Sequence, residues 1–449
     1  MKFCSISLLS FVVAITAEPL GLNTQQLPEN EFPCLAECIF DVEGNEICTF
    51  QVSRAELASE LGYYQFAGVD GVDCAGTNPV LGVKKGATYL FTQRRTSNYF
   101  HPLGFAHGPD GALDDQPELE PSVCFGQTRD GPDLDCDCKL GLEEDEVGSC
   151  PSPMYFRGDT YLGKYSNNAV VAPLSKNEDF GLDVYEPEFV IPLLQWKTAA
   201  SGLLFGQDRE NYFVALNIPT DIESTDDFFY FCHVHQFMTG RVKFVGDDGK
   251  ALFPKNTKLI PYDYQQPDEY DTSCGTTGIS SSRLPNDECP ETFVCNRPDA
   301  NVFPKENKFA DCVDSMNCAM IKGMTTKVNM QSSIALFNHQ MIPHHQQAVN
   351  MCKALDVAGG TDCEDIVEFE DDAKCILKVL CQEIINVQNA QIQTMRGVLA
   401  QLDLDETADC IVEIKNDDSD DSSSSSSDSS SKKKSKARKA PKRKKDKRN

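Results

Sequence analysis

Twenty cysteines in a chain of 449 residues constrain this protein more than any other feature. A reducing compartment would keep them as thiols, whereas an oxidising one would make them crosslinks. The N-terminus predicts the second. Lys2 precedes an apolar run over 3–15, and Ala17 is a suitable cleavage residue, which is the pattern of a secretory signal peptide over 1–17. No later stretch has the length and apolarity of a bilayer span. The expectation is an exported, extracellular, disulfide-bonded chain with no membrane span.

Charge narrows the partners. Acids outnumber bases 69 to 41, a net of -28, so the body of the protein is unsuited to nucleic acid. The bases gather at the end instead. Residues 409–449 run from an acidic patch through a serine tract at 422–427 into a Lys/Arg cluster from Lys432 onward. Such a composition cannot bury a core and predicts a disordered tail. Its suitable partners are an extracellular polyanion or a mineral, and its Ser/Lys content resembles silica-associated silaffin peptides.

The region between changes texture twice. Residues 30–262 carry short alternating apolar runs between Gly and Pro turn signals, which predicts strands. Within them, 108–160 read as an insertion that loops out, with Cys124, Cys136, Cys138 and Cys150 among Asp, Gly and Pro. Residues 263–307 form a connector containing Cys274, Cys289 and Cys295. From 308 to 408, apolar residues recur at three- and four-residue steps, as in Ile384, Ile385, Gln388, Gln391, Ile392, Met395 and Leu399, which predicts helices.

Histidine is scarce and clustered. There are seven, and all fall in three short segments. In the first of them to weigh, Cys232, His235 and Met238 form C-x2-H-x2-M on a loop between two strand-like runs. One thiolate, one imidazole and one weak thioether are three of the four ligands of a blue-copper site. The other imidazole must come from upstream, where Asn98-Tyr99-Phe100-His101 precedes a second candidate, His107. His101 is preferred because it follows an Asn in a loop after a strand. His107 is expected to be solvent-exposed and His233 to be a plain surface residue. The spacing, with Phe237-Met238 and Gly240-Arg241-Val242 following, resembles the short ligand loop of amicyanin-type cupredoxins. That resemblance implies a cupredoxin-like β-sandwich with one copper held by His101, Cys232, His235 and Met238. Seven histidines are too few for a blue site plus the trinuclear cluster of a multicopper oxidase, so an enzyme of that class is not expected.

The third segment is Phe337-Asn338-His339-Gln340-Met341-Ile342-Pro343-His344-His345-Gln346-Gln347-Ala348. Helical spacing puts Met341, His344, His345 and Ala348 on one face, with Met351 one heptad beyond His344. Pro343 is expected to free one carbonyl and kink the helix. Seven of the ten methionines lie between Met316 and Met395, and the stripe Met316, Met320, Met324 reads first as core packing. The Met-Ile-Pro-His-His run, with the later helix ending in Gln391-Ile392-Gln393-Thr394-Met395, resembles the family called domain of unknown function 305 over about 308–405. The resemblance implies a small ferritin-like helical bundle, some of whose bacterial relatives are implicated in copper handling. Gln391 stands where that family usually has Glu, which weakens a hard-ion reading and leaves His and Met for copper. His339, His344 and His345 are the candidate imidazoles, with Met341, Met351 and Met395 as helpers.

The combined expectation is a multidomain β + α secreted copper protein: a cupredoxin-like sandwich, then a ferritin-like bundle, then the tail. Its expected role is copper homeostasis or one-electron transfer with a redox partner protein. The competing expectation is a matrix or cell-wall protein whose tail makes the contacts.

Overall fold

The computed structural model describes residues 31–119, 152–158, 160–162, 182–200, 212–220, 226–256, 258–264, 266–289, 292–325 and 332–405. The signal segment, Cys124, Cys136, Cys138, Cys150 and the tail lie outside these residues. The chain forms two units, 1–410 and 411–449, and the first holds every element described below.

Among the described residues, twelve strands build two sheets. They are β1 (Cys34–Leu35), β2 (Glu37–Phe40), β3 (Glu46–Ala55), β4 (Tyr63–Ala67), β5 (Leu81–Val83), β6 (Thr88–Thr92), β7 (Leu103–Ala106), β8 (Ser152–Arg157), β9 (Thr160–Leu162), β10 (Tyr212–Asn217), β11 (Phe228–Cys232) and β12 (Gly240–Phe244). One sheet has the order β1-β5-β12-β11-β7. The other has the order β2-β3-β6-β10-β8-β9, with β4 on β3. The two sheets share an aromatic core in which Phe66 meets Tyr230 at 4.8 Å and Phe91 meets Phe105 at 4.9 Å between ring centroids. Strand β11, Phe-Phe-Tyr-Phe-Cys, is buried at all five positions. A near-continuous apolar run is what a strand covered on both faces requires.

The expected insertion at 108–160 needs correction. Its last part does not loop out: β8 and β9 are sheet strands, and β8 pairs with β10 in register from Tyr212↔Arg157 to Asn217↔Ser152. Tyr155 points into the core while Phe156 stacks on Phe213 on the other face, the two-residue alternation of a strand.

The helices are α1 (Leu182–Tyr185), α2 (Leu193–Ala200), α3 (Glu269–Cys274), α4 (Pro304–Met324), α5 (Ser333–Val357) and α6 (Ala373–Gln401). Side-chain caps start the last two: Ser332 accepts from the Ala335 N–H, and Asp372 accepts from those of Lys374 and Cys375. Such caps satisfy N–H groups that the helix leaves open. Helix α5 is continuous through Pro343, so the expected kink does not break it. Gly323 of α4 gives Pro343 room, since a Cβ there would lie 2.8 Å from the Pro343 Cβ.

Six disulfides hold the described residues. Cys34–Cys74 and Cys38–Cys48 fasten the strands, Cys274–Cys312 and Cys289–Cys318 tie the connector to α4, and Cys352–Cys381 and Cys363–Cys375 fasten α5 and α6. Among the described cysteines, Cys232 and Cys295 are free, the first buried and the second exposed. Among the described residues no helix is long and apolar enough to cross a membrane.

The helical region is not a separate body joined by a connector. Lys353 of α5 is fully buried and donates to the carbonyls of Ser59 and Glu60. Ile366 belongs to the same apolar core as the sheets. Gln382 of α6 donates to Glu56 at 2.6 Å, and Arg396 pairs with Glu60 at 2.5 Å.

Candidate metal centre

Strand register brings the first ligands together. Cys232, the last residue of β11, pairs with Leu103, the first of β7. His101 precedes Leu103 by two residues and so stands at the same end. The turn from β11 to β12 returns His235 to that point. The Cys232 Sγ lies 3.5 Å from His101 Nδ1 and 3.7 Å from His235 Nδ1. The two imidazoles stack at 4.5 Å between centroids. Together the three form a buried group whose ligand atoms all lie within 4.8 Å of one another. Met238 is fully buried in the same core as Cys232.

The spacing suits a metal. Bonds of about 2.0 Å to imidazole and about 2.3 Å to thiolate, at trigonal or tetrahedral angles, place N and S about 3.5–3.7 Å apart. The chemistry agrees. Burial pushes the Cys232 thiol up to about 11. Burial likewise takes His235 down to about 3, and burial followed by the charge of Arg54 holds His101 well below its ordinary value. Both imidazoles are therefore neutral. The thiol has one proton to offer two facing nitrogens, and a soft cation would replace that proton and engage all three groups.

The frame around these residues is tightly bonded. Tyr64 and Gln93 both donate to the His101 carbonyl, at 3.1 and 2.7 Å. The backbone N–H groups of Val234 and His235 hydrogen-bond to the Cys232 sulfur. Asp110 accepts from the backbone N–H groups of Phe237 and Met238, and Tyr262 donates to it at 2.9 Å. Burial raises Asp110 to about 6. Gly111 is needed beside it: a Cβ there would lie 2.2 Å from Phe231. Two aromatic residues adopt left-handed backbone next to ligands, Phe100 at φ 67 and Phe237 at φ 63. Such conformations persist where the surroundings over-determine them.

Helix α6 closes the far side of the histidines. His101 Nε2 meets Asn386 Oδ1 at 2.9 Å, and His235 Nε2 meets the Asn386 carbonyl at 3.2 Å. Gln393 exchanges hydrogen bonds with the backbone of Gln236. Gln382, Asn386, Asn389, Gln393 and Arg396 recur at four- and three-residue steps and line one face, beside the apolar stripe Ile385, Ile392, Met395 and Leu399. The sequence reading caught the apolar stripe and missed the polar one. Its signal was two asparagines, poor helix formers, three residues apart within a long helical pattern.

Two other histidines need correction. His233 is not a plain surface residue: its ring bridges Glu186 at 2.5 Å and Glu118 at 3.1 Å, with 11% of the side chain exposed. Burial works against its charge, but the two carboxylates prevail and raise it to about 10. His107 is half-buried rather than solvent-exposed, and its carbonyl accepts from Lys258 at 2.7 Å.

The helical candidates are arranged differently. His344 is exposed and His345 half-buried, with ring centroids 5.8 Å apart. The Nδ1 of His345 is buried without a hydrogen-bond partner. His339 is buried, with Nε2 held by the Asp405 carbonyl at 3.0 Å. Met395 packs with Ala335, Ile342, Ile392 and Leu399, and Met341 lies against that cluster. Met351 is 40% exposed, Gln391 is exposed and Met316 is buried core. Among the described residues, no group of three His, Cys, Asp or Glu ligand atoms forms around His344 and His345.

Comparison with known proteins identifies one part of the chain. Residues 335–447 match the family described as Domain of unknown function (DUF305), so this part carries a domain of that family. The match takes in α5 from Ala335 onward and all of α6, and continues past the last described residue. Helix α4 and all twelve strands lie outside it. No curated protein and no solved structure matches the chain.

Proposed function

We propose that this protein is a secreted copper protein whose β-region is a cupredoxin-like sandwich holding one copper ion through His101, Cys232 and His235, with Met238 as the weak fourth ligand. The observation that carries this reading is the convergence of two neutral imidazole Nδ1 atoms on one buried thiol at 3.5 and 3.7 Å. Copper bound to such a set would supply a one-electron couple, since thiolate and thioether favour Cu(I) while imidazoles accept Cu(II). The chain's own contribution is to hold those ligands still, through Tyr64, Gln93 and Asp110, and to shield them from water. One-electron transfer or copper retention outside the cell follows from that chemistry.

Adding Cu(II) to the purified mature protein tests this. An intense thiolate-to-copper absorption in the visible is expected at one equivalent, and Cys232→Ser should remove it. Colourless copper binding, or a band that survives the substitution, defeats the assignment.

A second, weaker site on α5 is supported by the partnerless Nδ1 of His345 beside exposed His344. It would take Cu(I) through those two rings with a thioether such as Met351. A Cu(I) titration of the Cys232→Ser protein would reveal it as an equivalent lost with His344→Ala and His345→Ala.

A further inference from the structure

We infer that Asn386, in the DUF305 domain, is a positioning residue that sets the tautomer of both candidate histidine ligands in the β-region, so that the helical domain completes the metal site. The use made of those ligands rests on the copper reading above; the tautomer assignment stands without it.

The geometry fixes the proton positions. A peptide carbonyl is an acceptor only, with a lone pair to spare beyond the helix's own hydrogen bond. His235 therefore meets the Asn386 carbonyl with Nε2–H. His101 meets the side-chain oxygen of the same residue. The orientation of that amide is set independently, because Asn386 Nδ2 donates to the Gln382 carbonyl at 2.8 Å. Turning the amide over would set its oxygen against the Gln382 carbonyl, acceptor facing acceptor, and forfeit that bond. So His101 also carries its proton on Nε2. Both Nδ1 lone pairs are then left facing Cys232, at 3.5 and 3.7 Å.

One residue thus aims two ligands that reach the site from different loops. Orienting partners of this kind fix ring direction and tautomer, and their loss typically costs about 10–100-fold in metal affinity. Asn386 is fully buried, and neighbours on its helix face lock it against the β-region: Gln382 to Glu56, Asn389 to the Glu60 carbonyl at 3.2 Å, and Gln393 to Gln236. A metal held here leaves only when this face lifts or the histidines turn.

Long-range nitrogen–proton NMR correlations of the imidazoles, in the full mature chain without metal, test the assignment. Wild type is expected to show the Nε2–H tautomer at both His101 and His235. Asn386→Leu should let His101 populate the Nδ1–H form and leave His235 unchanged, because the backbone carbonyl remains. The unchanged His235 signal also reports that the fold is intact. Asn386→Asp keeps the side-chain acceptor and should restore the His101 tautomer. With copper loaded, release to a chelator should be about 10–100-fold faster in the Leu variant and slower again in the Asp variant. An Nδ1–H tautomer at either histidine in wild type, or no change in Asn386→Leu, overturns the inference. Wild-type tautomers as expected without any thiolate–copper band would support the inference while defeating the copper assignment, so the two failures are distinguishable.

Discussion

The β-region and the helical domain each present a histidine motif with local spacing suited to metal, yet the fold treats them differently. Around Cys232, three segments distant in sequence meet at one sheet end, and every ring nitrogen has a defined partner or direction. Around His344, two adjacent residues on one helix point partly into solvent, and no third titratable ligand joins them among the described residues. A loop closed across paired strands inherits the register of those strands, which leaves it little freedom. One helix face supplies neighbours only at its own steps, and a complete donor set needs a second element. Ligand spacing in sequence therefore says less than where the supporting hydrogen bonds come from.

The sharpest way to break this comparison is to remove the thiol. Cys232→Ser should abolish the visible thiolate–copper band entirely, whereas His344→Ala with His345→Ala should leave its intensity unchanged. A loss of the band in the double variant would mean that the two regions share one site.

The next test addresses rigidity. Asp110→Ala removes the acceptor of the Phe237 and Met238 N–H groups and of the Tyr262 hydroxyl, and with Met238 fully buried the cost is about 1–3 kcal/mol in unfolding free energy. Copper exchange should quicken as the ligand loop loosens. Asp110→Asn retains an acceptor and should recover much of both effects. Equal urea midpoints and exchange rates for wild type and Asp110→Ala would show that the loop is held by its other contacts.

Legibility in the sequence followed the range of the interactions. The ligand loop declared itself because Cys232, His235 and Met238 lie within seven residues. His101 could be paired with it because a short Asn-containing segment after a strand is itself a local pattern. The alternation of 152–157 was hidden by the Pro, Gly and Cys residues before it. Arg54, Tyr64, Gln93 and Asp110 each look ordinary in sequence, since their importance lies in which backbone they meet. Asn386 is the extreme case: it contacts a ring 285 positions away. In isolation, a polar stripe on a helix reads as a solvated face. Only the docking of that face onto the β-region turns five polar side chains into a lid.

The smallest expected effect concerns His233, whose position beside Cys232 contrasts with the open pair on α5. Its ring is held by Glu186 and Glu118 and stays charged up to about 10, against about 6.5 in an unfolded chain. A folded value above the unfolded one means that the native state binds this proton more tightly. The resulting stability is complete below about 6.5 and falls as pH rises through about 10. His233→Gln removes the charge while keeping a side chain able to donate one hydrogen bond. Urea unfolding of both proteins at pH 6 and again near pH 10 gives a double difference in which other titrating groups largely cancel. Wild type should lead by about 1–2 kcal/mol at pH 6, the scale of a charge-assisted hydrogen bond that is partly shielded, and the lead should shrink toward zero at the higher pH. A lead for wild type that stays constant across that range would mean that the His233 ring acts through packing rather than charge.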